Sequence, residues 1–200
     1  MDSLEEWAPL SYQEGYDNAG LIVGDPKTEI KGVIIALDST EEVVEEAIHL
    51  GANLIIAHHP IVFKGLKKFN GSNYIERTVI KAIKNNIAIY ACHTNLDAVM
   101  TGVNSKICDL LKLKNRSILN LKKGEDEVGS GMIGELSEPL DEMDFLKNVK
   151  KTFNTGALKY TKLLNKSVCR VAVCGGSGSF LLEDAIRAKA DVFITSDFKY

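Results

Sequence analysis

Val33-Ile34-Ile35-Ala36-Leu37-Asp38-Ser39-Thr40 decides the fold, because an uninterrupted apolar run leads straight into a helix-capping triplet. Such a run is expected of a strand covered on both faces, as in a parallel sheet. Asp38-Ser39-Thr40 then caps a helix from Glu41 to Leu50, which Gly51 stops. Outward from there the pattern recurs. Asn53 to Ala57 is a second buried strand, Tyr74 to Asn85 carries helical spacing at Ile75, Val79, Ala82 and Ile83, and Ile87 to Cys92 is a third strand. Strand, helix, strand, helix, strand predicts a parallel α/β sheet with right-handed crossovers. Upstream, Glu14-Gly15-Tyr16-Asp17-Asn18-Ala19-Gly20 is a turn-rich loop leading into Leu21-Ile22-Val23-Gly24, and its Asp17 and Asn18 suit either a turn or a site.

The residues with chemistry in them follow the strands. Asp38 comes after the first, His58-His59 of Ala57-His58-His59-Pro60 after the second, and His93 of His93-Thr94-Asn95-Leu96-Asp97 after the third. In a parallel sheet the carboxyl ends of the strands share one edge, where ligands bind. A histidine pair before proline is explained in isolation by an exposed loop. Three polar clusters arriving separately at one edge point instead to a metal site of imidazole and carboxylate donors. Pro60 biases His59 toward an extended backbone, so His58 and His59 diverge and suit two nearby metals better than one. Asp97 is the natural carboxylate to bridge them, and a helix-start role before Ala98 is the competing reading. His93 suits a ligand, a donor that orients Asp97, or a general base. His49, near the end of a helix, reads as a partly solvated residue outside the site.

Sliding the chain by 138 positions places Val33-Ile34-Ile35-Ala36 on Val171-Ala172-Val173-Cys174, Glu45-Glu46-Ala47-Ile48 on Glu183-Asp184-Ala185-Ile186, and His58-His59 on Ser196-Asp197. Periodicity alone does not separate a true repeat from two similar strand-helix-strand units. The charged stretch Leu121 to Glu127 marks the expected boundary between a first α/β lobe (1–120) and a second (121–200). In the second lobe, Val128 to Leu136 reads as a glycine-interrupted strand, Phe145 to Phe153 as a helix and Ala157 to Lys162 as a short strand. Cys174-Gly175-Gly176-Ser177-Gly178-Ser179 is a weak phosphate-loop signal, lacking the dinucleotide fingerprint and the Gly-Lys-Ser/Thr of a P-loop. No nucleophile elbow is present, which disfavours covalent catalysis.

Composition narrows the class. With 200 residues, 45% of them hydrophobic, the chain can bury a sizeable core without disulfide staples. A net charge of -3, with basic residues no denser than Lys67-Lys68 and Lys122-Lys123, argues against general nucleic-acid binding. Cys92, Cys108, Cys169 and Cys174 have no paired spacing and read as buried thiols, so a cytoplasmic location is expected. No apolar stretch approaches the length that spans a bilayer.

Tyr16-Asp17-Asn18-Ala19-Gly20-Leu21, Ala57-His58-His59-Pro60, His93-Thr94-Asn95-Leu96-Asp97 and Gly175-Gly176-Ser177-Gly178 with Asp191 to Tyr200 resemble the Nif-three-like dinuclear metal-centre family, also called GTP cyclohydrolase 1 type 2 homologs. The resemblance covers essentially the whole chain. It implies two related α/β lobes with mostly parallel sheets, a metal cleft at the strand ends between them, and a ring-shaped homohexamer. It matches His58, His59 and Asp97 to metal ligands for two divalent ions, with Asp97 the bridge. Zinc, iron, manganese, cobalt and nickel all suit such donors. In the family the last motif runs on into further His and Glu ligands, whereas this sequence stops at Tyr200, as expected of a C-terminally truncated piece whose second lobe is incomplete. The activity implied is metal-dependent hydrolysis of a nucleotide or related heterocycle, through a metal-activated hydroxide with His93 or Asp38 assisting proton transfer. In the cyclohydrolase form of that reaction, the hydroxide attacks the imidazole carbon of GTP's guanine and formate is released. The alternative is a non-catalytic, metal-binding hexameric scaffold or regulatory partner.

Overall fold

Four short strands, β1 (Gly20–Val23), β2 (Val33–Ala36), β3 (Leu54–Ala57) and β4 (Ala88–Ala91), form the first of two sheets in the order β1-β4-β3-β2. The structure is a computed structural model and describes residues 1–198. β2, β3 and β4 run parallel, with Val33 opposite Leu54 and Leu54 opposite Ala88, and β1 pairs antiparallel with β4. The crossovers are α2 (Glu41–Leu50) and α3 (Tyr74–Lys84), matching the helices expected from periodicity to within a residue. Their apolar stripes, Val44 and Ala47 on α2 and Val79 and Ala82 on α3, close over Ile55 and Ile89 on one face of the sheet. On the other face Leu54, Tyr90 and Cys92 are packed by Leu4, Leu21 and Leu96. α1 (Asp2–Trp7) supplies Leu4. β2 departs from the expectation of a strand covered on both faces. It is one of the sheet's two edge strands, where Ile34 packs inward while Ile35 stays 82% exposed.

α3 begins on a reciprocal cap. Asn73 Oδ1 accepts from the Glu76 amide, and the Glu76 carboxylate accepts from the amides of Asn70 and Ser72. The Ser72 amide is the main reason that the Glu76 carboxyl is held below the ordinary glutamate range, burial opposing it only in part.

α4 (Thr94–Ala98) carries the chain on from β4. Next come α5 (Val103–Leu110), β5 (Lys114–Leu121), β6 (Gly129–Asp141), α6 (Glu142–Thr152), β7 (Ser167–Ser177), α7 (Leu182–Arg187) and β8 (Val192–Asp197). The second sheet has the order β5-β6-β7-β8, antiparallel at its first two pairs and parallel only between β7 and β8. The α/β class therefore holds in both units, with the parallel character concentrated in the first. Antiparallel neighbours need no helical crossover, which is why β5 and β6 follow each other through a short turn. Phe145 and Val149 of α6, Cys108 of α5 and Val171 and Val173 of β7 share the core on one face.

The chain divides into compact units at Met1–Leu96 and Asp97–Tyr200, whereas the sequence suggested a boundary at Leu121 to Glu127. β5 was hidden because its sequence is polar and mostly exposed, and its pairing with β6 assigns it to the second unit. Ala157 to Lys162 is corrected from a strand to irregular chain. β6 is already paired with β5 on one side and β7 on the other, so no ladder is open beside that strand. The end of the last sequence motif, Lys199-Tyr200, lies outside the described residues. The self-match survives as geometry. Shifting by the same 138 positions carries the pairs Val33↔Leu54 and Ala36↔Ala57 of the first sheet onto Val171↔Val192 and Cys174↔Thr195 of the second. All four cysteines are free thiols, and burial pushes those of Cys108 and Cys174 up to about 11. No described helix is long and apolar enough to cross a membrane.

The Glu76 cap predicts an acid-sensitive contribution to stability. A carboxyl depressed in the folded state stabilises fully above its unfolded value, and the effect fades as pH falls through the folded value. Urea titrations from about pH 6 to about pH 3 should show the parent losing more stability than Glu76→Gln, which has no carboxylate to protonate.

Candidate metal centre

The parallel ladder continues one residue past each strand and thereby delivers the histidines. His58 N donates to Ala36 O at 3.2 Å, His59 N donates to Leu37 O at 3.0 Å, and Cys92 N donates to Ala57 O at 2.8 Å. These bonds bring Asp38, His58-His59 and His93 to one corner of the first unit, as expected from the shared edge of a parallel sheet. The rings of His58 and His59 lie 5.0 Å apart, those of His58 and His93 5.2 Å, and those of His59 and His93 5.5 Å between centroids. One ring nitrogen from each falls within 4.8 Å of the others.

Each ring is anchored through its other side. His58 Nδ1 meets Cys92 O at 2.9 Å, His59 Nδ1 meets Asp38 Oδ1 at 2.8 Å, and His93 Nδ1 meets Asp17 Oδ1 at 2.7 Å. A carbonyl or carboxylate only accepts, so each Nδ1 carries the proton and donates it. Each Nε2 is then the basic nitrogen, with its lone pair in the ring plane. Histidine ligands of metal sites are oriented in this way by carboxylate or carbonyl partners. The donor set therefore fits a metal ion.

The two carboxylates differ. Asp38 and His59 are about half exposed on the solvent side. The Asp17 side chain is fully buried and also accepts from the amide and hydroxyl of Thr94. Burial alone pushes the Asp17 carboxyl up. The Thr94 hydroxyl, the His93 ring and the amides of Asn18 and Thr94 together outweigh that and hold it below the ordinary aspartate range.

Four of the five residues singled out from the sequence meet here: His58, His59, His93 and Asp38. Asp97 sits in α4, where its carbonyl accepts from Asn104 Nδ2 at 3.1 Å. Asn95 of the same motif is structural support. Asn95 is fully buried, its Oδ1 accepting from the His93 amide at 3.0 Å and its Nδ2 donating to Ala8 O at 2.7 Å. Asn18 Nδ2 donates to Val62 O at 2.6 Å, tying the Asp17 turn to the loop that follows Pro60. Turn chemistry flags Asp17 and Asn18 in the sequence, but their partners are 76 and 44 positions away, and nothing local announces them.

These features define a two-unit α/β protein with an imidazole-based candidate metal centre at the strand ends of its first unit. The profile of the Duf34/NIF3 (NGG1p interacting factor 3) family matches residues 1–200, and the chain belongs to that family. A Clostridium acetobutylicum relative called a GTP cyclohydrolase 1 type 2 homolog is 37% identical over 198 residues, covering 98% of this chain and 74% of the relative. One of the same name from Clostridium perfringens is 34% identical over 200 residues, covering 100% of this chain and 76% of the relative. Among solved structures, a hypothetical protein of Staphylococcus aureus superposes with a TM-score of 0.93 at 32% identity, covering 100% of this chain and 78% of that one. A Bacillus cereus protein related to NIF3 superposes at 0.91 with 26% identity, covering 100% and 81%.

Asp38→Ala leaves His59 without its acceptor while touching nothing buried. Zinc affinity measured by competition with a chromophoric chelator should fall about 10-fold or more, with the circular dichroism spectrum unchanged.

Proposed function

We propose that the protein is a dinuclear divalent-metal hydrolase acting on a nucleotide or related heterocycle, as the name of its relatives suggests. The observation that carries this reading is the set of three imidazoles, each anchored through Nδ1, with one ring nitrogen of each within 4.8 Å of the others. A single tetrahedral ion about 2.1 Å from each nitrogen would hold the nitrogens about 3.4 Å apart. Nitrogens within 4.8 Å of one another also leave room for two ions about 3.5–4 Å apart. Divalent ions bound there supply Lewis acidity and acidify water at neutral pH.

The protein's own groups divide the work. His58, His59, His93 and Asp97 would hold the metals. Asp38, the exposed carboxylate at His59, accepts the proton of the attacking water. His93, with its Nδ1 committed to the buried Asp17, keeps Nε2 for either a metal or a proton. The working assembly on this reading is a homohexamer.

Elemental analysis of the purified protein should find bound divalent metal, and His59→Ala should lose most of it. Incubation with GTP and added manganese, zinc or iron should give turnover that falls at least about 100-fold in Asp97→Ala. Metal binding without turnover on any nucleotide supports the scaffold reading instead, and full activity after metal is lost overturns the hydrolase. Light scattering checks the assembly, with about six times the 21.9 kDa chain mass expected.

A further inference from the structure

Beside the histidines stand two exposed aromatic rings that the metal centre does not use. The Phe63 centroid lies 6.2 Å from that of His93, edge to face at 79°, and 6.2 Å from that of Tyr16 at 42°. Phe63 is 45% exposed and Tyr16 66% exposed. Large apolar rings left in water are ordinarily held by little, but these two are braced. Tyr16 precedes Asp17, whose buried carboxylate is bonded to His93 and Thr94. Glu14 N donates to Thr94 Oγ1 at 2.9 Å on the other side of Tyr16. Phe63 follows Val62, whose carbonyl accepts from Asn18, and Ile61, which is buried in the core. The same polar network that orients His93 therefore also fixes an aromatic wall next to it.

The loop bearing Phe63 adds charge. From Ile61 to Ser72 it contains Lys64, Lys67 and Lys68 and no acidic residue, in a chain whose net charge is -3. All three lysines are exposed, and none forms an ion pair with a described residue. An aromatic ring against His93, a second ring against the first, and a cationic segment leading away from them suit a ligand with a planar ring at one end and anionic groups at the other.

We infer that Tyr16 and Phe63 form a stacking wall that seats the planar base of a nucleoside polyphosphate beside the histidine cluster, with Lys64, Lys67 and Lys68 taking its phosphates. The inference rests on the proposed metal-site reading and names residues that select the substrate. Base stacking on an aromatic side chain is sequence-tolerant and strong enough to read by substitution. The lysines act as point charges whose contribution weakens with salt.

The test is isothermal titration of the metal-loaded protein with GTP, guanosine and tripolyphosphate. Phe63→Leu, which keeps apolar bulk and removes the ring, should weaken GTP and guanosine at least about 5-fold and leave tripolyphosphate unchanged. Lys64→Gln/Lys67→Gln/Lys68→Gln should weaken GTP and tripolyphosphate and spare guanosine. Metal content, determined on every sample, separates this inference from the reading beneath it. Loss of metal in His59→Ala with GTP affinity unmoved by Phe63→Leu overturns the wall and leaves the metal site standing. Failure of the parent to bind GTP overturns the nucleotide assignment. A change in mass by light scattering for Phe63→Leu, with all three affinities unchanged, shows the rings to be an interface between copies and overturns it too.

Discussion

The parallel register of β2, β3 and β4 is the constraint on which the site depends. Ladder bonds at Ala36, Leu37 and Ala57 run on beyond the strands to His58, His59 and Cys92, so the backbone that builds the core also sets where the imidazoles emerge. Slipping a strand by one residue would turn its apolar side chains to the opposite face, so burial of Ile55 and Ile89 indirectly enforces the register of the histidines. Stability and site geometry are coupled through a few strand residues.

Placing an imidazole at a strand end does not orient it. Orientation comes from three unlike acceptors: a main-chain carbonyl for His58, an exposed carboxylate for His59 and a buried carboxylate for His93. The last is the most demanding. A buried aspartate is costly unless its oxygens are satisfied, and Asp17 achieves this through Thr94, His93 and Asn18. Those bonds draw a loop near the amino terminus onto the motif that follows β4. Order at the metal centre and order of the loop bearing Tyr16 thus come from one network.

Much of this was legible in the sequence, for identifiable reasons. Apolar runs and caps located α2, α3 and the first-sheet strands, because local periodicity and capping are short-range signals. The offset of 138 positions predicted matching units, and the matching registers of β2–β3 and β7–β8 realise it. The failures are equally specific. β5 carries few apolar residues, and its strand character comes from pairing with β6, so its period was invisible. Ala157 to Lys162 looked extended but forms no strand, and β2 looked doubly covered but stands at an edge.

By itself the sequence determined the α/β class, the helices of the first unit and the gathering of Asp38, His58, His59 and His93 at strand ends, since each follows from patterns a few residues long. Only the tertiary structure decided which nitrogen of each imidazole is anchored, that Asp17 is the buried partner of His93, and that Tyr16 and Phe63 stand beside it. Those are contacts between residues dozens of positions apart. Chain pairing and burial choose such partners, and no local spacing encodes them.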